Sequence, residues 1–104
     1  MRAIVILLLI VSIPHRELRG QTAPPTVVSR IHREEVDSSA IASIGYSNRL
    51  HALEIEFRNG AIYRYLNVPP AMHREIMSAS SKARYYDDNI RHRFRSVRVR
   101  ARLE

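Results

Sequence analysis

Apolar and polar positions alternate most cleanly between residues 53 and 57, where Leu53, Ile55 and Phe57 interleave with Glu54 and Glu56. A period of two sets the apolar side chains on one face of a strand and the carboxylates on the other. The pattern therefore predicts a half-buried strand with one wet face. Upstream, Ile41, Ser43 and Gly45 alternate with Ala42, Ile44 and Tyr46, a first strand that runs into a Ser47-Asn48-Arg49 turn. Downstream, Asn59-Gly60 is a hairpin signal, and residues 61–68 read as a third strand stopped by Pro69-Pro70. The expected sheet is a three-stranded antiparallel meander.

Two registers are open to the second hairpin. A two-residue Asn59-Gly60 turn pairs Phe57 with Ile62 and puts Tyr63 and Tyr65 beside Glu54 and Glu56. A three-residue Arg58-Asn59-Gly60 loop gives Gly60 the left-handed bulge position and pairs Phe57 with Ala61. Ile55 then faces Tyr63, Leu53 faces Tyr65, and Glu54 faces Arg64. The second register groups the aromatics with the aliphatics and forms an opposite-charge pair, so it is the favoured one.

Past Pro69, residues 70–79 read as a helix. Pro70 suits its first turn, and Met72, Ile76 and Met77 recur at helical spacing. Ser80-Ser81 interrupts it and offers a hydroxyl cap to a second helix over residues 82–89, which carries Tyr85 and Tyr86. Two short helices packed on one face of the meander make a small α+β domain.

The flanks read differently. Arg2 followed by the apolar stretch 3–13, broken by Ser12, has the layout of a secretory signal peptide and is too short to span a bilayer. Residues 1–23 are thus read as a signal peptide, which places the mature chain outside the cell or in the periplasm; the cytoplasm is the alternative. Residues 24–36 read as a linker or a loosely attached strand, stiffened at Pro24-Pro25, with a solvated charge run from 30 to 35. In residues 95–104 arginines nearly alternate with small apolar residues, as in an added edge strand or a basic arm.

Taken in order, Ser38-Ser39-Ala40-Ile41, Ile44-Gly45-Tyr46, the strand at 53–57, Asn59-Gly60, Tyr63-Arg64-Tyr65, Val68-Pro69-Pro70, Ser80-Ser81-Lys82 and Asn89-Ile90-Arg91 resemble the KTSC domain. That module is found at the C-terminus of some lysyl-tRNA synthetases and as a stand-alone bacterial protein. The resemblance covers residues 37–94. It implies a fold, a module boundary and RNA as the associated ligand class, and it implies no reaction. The family's central Tyr-x-Tyr motif stands here as Tyr63-Arg64-Tyr65, which the favoured register assigns to the fold rather than to a ligand.

The 104-residue chain is long enough for one domain. With no cysteine it has neither a disulfide nor a thiolate nucleophile. A formal charge of +7 favours anionic partners: nucleic acid, an acidic membrane surface or an acidic protein. Of the seventeen basic residues only Lys82 is lysine, a skew that genome composition can also produce. The candidate anion-binding residues are Lys82, Arg84, Arg91, Arg93, Arg95, Arg98, Arg100 and Arg102, with only Asp87 and Asp88 among them.

The five histidines show no metal-ligand spacing, and three glycines cannot build a phosphate-cradling loop. No catalytic residue, metal, cofactor or small-molecule substrate is assigned. The sequence reading is a non-catalytic binding module for an anionic partner. The alternative is an exported protein-interaction or envelope-associated domain with no nucleic-acid role.

Cleavage after Ala23 would remove three of the seventeen basic residues and one of the ten acidic ones, leaving a net charge of +5. Mass spectrometry of the protein isolated from its native cell should find a chain that starts near residue 24. An intact N-terminus on a cytosolic protein would overturn the export expectation and return RNA as the leading ligand.

Overall fold

The central hairpin adopts the three-residue loop. In the computed structural model, which describes residues 26–100, the Phe57 N–H donates to the Ala61 carbonyl at 2.8 Å. Gly60 takes the left-handed conformation (φ +94°) that its missing Cβ permits. The Ala61 N–H donates to Asn59 Oδ1 at 3.0 Å and closes the loop. The flanking strands, β4 (Ala52–Phe57) and β5 (Ile62–Tyr65), pair Leu53 with Tyr65, Ile55 with Tyr63 and Glu54 with Arg64. Strand β3 (Ile41–Ser47) completes the expected meander on the other side of β4, with a register shift between Ile41 and Ser43.

The helices also lie where the spacing puts them. Helix α1 (Pro70–Ser78) begins with proline in its first turn, where a missing N–H costs nothing. Helix α2 (Lys82–Asn89) is capped by Ser81, whose Oγ accepts from the Arg84 N–H at 3.1 Å. Both cover one face of the sheet. The buried core there joins Ile41, Ile44, Leu53, Ile55 and Tyr65 to Val68, Ile76 and Ile90. Tyr85 donates to Glu75 Oε1 at 2.5 Å and ties the two helices together.

The fold is α+β, but its sheet has six strands rather than three. Strands β1 (Thr26–Val28), β2 (Arg33–Glu35) and β6 (Ser96–Arg100) extend the meander, giving the order β1-β6-β5-β4-β3-β2. The segment expected as a linker or a loosely attached strand thus supplies, over its described residues 26–36, both edges of the sheet. Up to Arg100 the arginine-rich tail is an added strand but not an edge: β6 lies between β5, antiparallel, and β1, parallel. Val99 is buried in it. Strands of three residues are too short to show a period, and pairing between β1 and β6 crosses most of the chain. The sequence therefore offers strands in these segments only as alternatives and does not show their partners.

The topology forces curvature. Consecutive strands β1 and β2 occupy opposite edges, joined by residues 29–32. A flat six-stranded sheet would hold its edges about 24 Å apart at about 4.8 Å per step. Five residue steps from Val28 to Arg33 reach about 18 Å at most. The sheet therefore curls, and the link at 29–32 closes over the face that the helices leave open.

Glu54 lies on that second face, and the expectation of a wet, solubilising surface is wrong there: Glu54 is 0% exposed. Ser29 Oγ donates to its Oε1 at 2.6 Å and Arg33 Nη1 to the same oxygen at 2.8 Å. Arg64 Nε and Nη2 both approach Oε2 at 2.9 Å. The carboxylate is satisfied on both oxygens by charged or hydroxyl donors, the condition for burying it. Alternation located the polar face but could not reveal that a distant segment covers it.

Gly45 makes this geometry accessible. Arg33, Gly45, Glu54 and Arg64 stand in one row across β2, β3, β4 and β5. Arg33 reaches Glu54 by passing over Gly45. A Cβ there would collide with the His32 carbonyl oxygen and lie 3.0 Å from Arg33 Cγ.

Two stability outcomes follow. Glu54→Gln leaves two arginines facing a neutral group and should lower the unfolding free energy by about 3 kcal/mol in denaturant titrations. Tyr65→Ala removes a buried aromatic from the helix-side core and should cost about 3 kcal/mol or more. An unchanged denaturation midpoint for either variant would contradict the packing described.

Candidate anion-binding face

The Tyr-x-Tyr motif points toward the helices. Tyr65 is buried and its hydroxyl meets that of Tyr86, on α2, at 2.6 Å. Burial and this hydrogen bond push the Tyr65 phenol far above its ordinary value, so it stays protonated. Phe57 stands edge-on to Tyr63 and to Tyr86, with centroids 6.4 and 5.2 Å away. Tyr65 and Tyr86 meet likewise at 5.8 Å. The result is a continuous aromatic cluster. Tyr63, at its outer end, is only half-buried.

Arginines gather at that outer end. Arg98 is the register partner of Tyr63, and its guanidinium carbon sits 5.4 Å from the ring centroid, within cation–π range. Tyr63, Tyr65 and Tyr86 share a groove of about 220 Å³ with Arg91, His92 and Phe94. Arg91 also meets Asp87 at 3.3 Å, but both side chains are more than half exposed. Such a pair contributes little and exchanges readily for another anion.

The other candidates are distributed around this groove. Arg93 and Arg95 are exposed between α2 and β6, and Arg100 is exposed on β6. Lys82 and Arg84 belong to the first turn of α2, about 8–10 Å from its far end at about 1.5 Å per residue. Lys82 Nζ donates to the Ala79 carbonyl at 3.0 Å, joining α2 to the end of α1. Of the candidates, Arg98 lies over the Tyr63 ring and Arg91 lines the groove that Tyr63 borders, while Lys82 and Arg84 sit at the other end of α2. Arg102 and the expected signal peptide lie outside the described residues.

A second, larger cavity of about 530 Å³ was not foreseen. It opens between the 29–32 link, the turn after β3 and α1, with Arg30, Arg49, Arg64, Tyr46, Leu50 and His73 in its wall. Tyr46 and His73 stack with centroids 5.1 Å apart and planes 10° from parallel. Tyr46 donates to the Val68 carbonyl at 2.5 Å, and burial raises its phenol. Desolvation lowers the His73 imidazole from its ordinary value against the pull of Glu34, and Arg74 lowers it further. Nothing in the spacing of these residues marks the cavity, because one wall is the link. Among the described residues no group of three or more His, Asp or Glu side chains converges as a metal site, and no helix is long and apolar enough to cross a membrane.

Comparison with known proteins gives a consistent result. A Tsukamurella paurometabola protein is 36% identical over 64 residues, 62% of this chain and 96% of the relative. An uncharacterised Stutzerimonas stutzeri protein is 38% identical over 55 residues, 53% of this chain and 78% of the relative. A lysine–tRNA ligase of Nostoc punctiforme is 30% identical over 59 residues, 57% of this chain but only 10% of the ligase. The crystal structure of a KTSC domain protein from Yersinia pestis superimposes with a TM-score of 0.66 at 41% identity, covering 67% of this chain and 99% of that one. With the family's own model matching residues 37–94, from the loop before β3 to the loop before β6, this chain belongs to the KTSC domain family.

Proposed function

We propose that this protein is a non-catalytic binding module for an anionic partner, with single-stranded nucleic acid as the ligand class. The observation that carries this reading is Arg98 lying over the ring of half-buried Tyr63, a residue that also lines the groove with Arg91 and His92. An exposed aromatic edge flanked by guanidinium groups offers a base something to stack on and a phosphate something to pair with. Arg93, Arg95 and Arg100 extend the same charge without requiring sequence readout. The segment similar to a lysine–tRNA ligase, whose name couples it to tRNA, supports the same class. In this reading Tyr65 holds the fold and Tyr63 borders the ligand.

A second reading rests on Arg2 and the apolar stretch 3–13. It makes the chain a secreted or periplasmic accessory domain, in which the arginine face meets an acidic protein, an anionic membrane surface or an envelope polymer. The cytoplasmic alternative keeps nucleic acid as the ligand.

Fluorescence anisotropy with a labelled single-stranded RNA, titrated at several salt concentrations, tests the primary reading. The logarithm of the binding constant should fall linearly with the logarithm of salt. Replacing Arg91 and Arg98 together by Ser should reduce that slope by about 1.4, at about 0.7 per phosphate contact on a single strand. Both residues are exposed, so the denaturation midpoint should hold. Absence of binding at low ionic strength would discard the nucleic-acid reading and leave the protein-interaction class.

A further inference from the structure

We propose that the cavity between the 29–32 link, the β3–β4 turn and α1 is a binding site for a small aromatic organic anion, one ring bearing a phosphate or carboxylate. It is separate from the Tyr63 groove and does not rest on the nucleic-acid reading. At about 530 Å³ it falls in the range of small-molecule sites, roughly 300–1,000 Å³.

Charge selects an anion. Arg30, Arg49 and Arg64 line the cavity against one carboxylate, Glu34. Buried Glu54 does not reverse that balance, because Arg33 and Arg64 both answer it. Arg64 engages Glu54 through Nε and Nη2, and among the described residues its Nη1 amino group has no partner. Arg30 and Arg49 are exposed at the rim, where their side chains can swing to a bound phosphate or carboxylate.

The apolar features select the ring. Val28 and Leu50 are the large hydrophobic residues that stay exposed among the described residues, at 49% and 42%, and both line this cavity. Val28 comes from β1 and Leu50 from the turn beyond β3, so elements far apart in sequence present apolar surface to the same opening. Tyr46 and His73, stacked within 10° of parallel, add aromatic surface to the lining. A planar ring can pack on such surface in an offset or edge-on contact and loses less conformational freedom than a flexible chain.

The cavity also depends on parts of the chain outside the family match. Val28, Arg30, Ile31, His32 and Glu34 precede residue 37, where the match begins. The site therefore depends on the N-terminal segment that precedes the family match, which the Glu54 cluster holds in place.

A two-dimensional 15N NMR titration of the full chain with phenyl phosphate tests the proposal, with inorganic phosphate and benzyl alcohol as the two partial probes. Phenyl phosphate should shift the amides of His32, Gly45, Tyr46 and Leu50, with a Kd on the order of 1 mM. Each partial probe should bind at least about tenfold more weakly. Arg49→Ser and Leu50→Ser, both at exposed positions, should each weaken phenyl phosphate about fivefold, the equivalent of about 1 kcal/mol.

Equal response to inorganic phosphate would overturn the choice of an aromatic ligand, and equal response to benzyl alcohol would overturn the choice of an anion. Shifts confined to Arg91–Ser96 and Arg98 would overturn the site itself while leaving the nucleic-acid reading intact. Should either variant fail to fold, the three-probe comparison on the unaltered protein still decides.

Discussion

Glu54 makes a demand that the surrounding architecture has to meet. A carboxylate removed from water must find donors for both oxygens, or burial costs several kcal/mol. Arg64 is its cross-strand neighbour and can supply one side. Among the described residues the other oxygen is reached by Ser29 and Arg33, which enter from the N-terminal segment. That requires the link to lie on the sheet, the sheet to curl until the link can span its edges, and Gly45 to have no side chain beneath Arg33. The same polar chain continues outward, for Arg33 Nε donates to Ser43 Oγ at 3.2 Å and Ser43 donates to Glu56 at 2.8 Å. Register, twist and the position of both edge strands are thereby coupled to one buried charge.

The parts of this arrangement that could be read from the sequence are those whose cause is local. The Asn59-Gly60 signal together with the Glu54–Arg64 and Ile55–Tyr63 pairings determines the hairpin register, because the alternative places tyrosines among carboxylates. Pro70 and Ser81 mark the helix starts by chemistry confined to a single turn. What was not legible depends on residues distant in the chain. Strand β1 is a strand because β6 lies beside it, and β6 is internal because β1 covers its edge. Glu54 obeys the alternation that predicted its face, yet the segment that dries this face carries the charges Arg33, Glu34 and Glu35, which read locally as solvated. The candidate arginines were recognisable by type. Their placement was not, since Arg98 reaches the Tyr63 ring only through the position of β6 beside β5.

The KTSC family match spans residues 37–94, and strands β1, β2 and β6 lie outside it on either side. These flanking strands change what the sheet exposes. Without β6, Tyr63 would stand on an edge strand. With it, Arg98 lies over the ring and the groove gains a basic border. Without the link, the Glu54–Arg64 pair would face solvent, where an ion pair contributes about 0–1 kcal/mol. With it, the pair is dry and its geometry is constrained by Ser29 and Arg33.

A buried ion cluster is a weak source of net stability compared with well-packed apolar side chains of the same volume. Its effect here is better understood as selection among alternatives. A hydrophobic link could slide along the second face with little penalty, since apolar contacts are not directional. A link anchored by Ser29 and Arg33 to one carboxylate cannot move by a residue without stripping Glu54 Oε1 of its donors, a loss of roughly 1–3 kcal/mol or more. The charged clasp therefore fixes where residues 29–32 lie, and the cavity they wall, more sharply than a greasy seal of equal area would. Arg64 belongs both to that clasp and to the cavity lining, so the group that locks the fold also faces whatever enters.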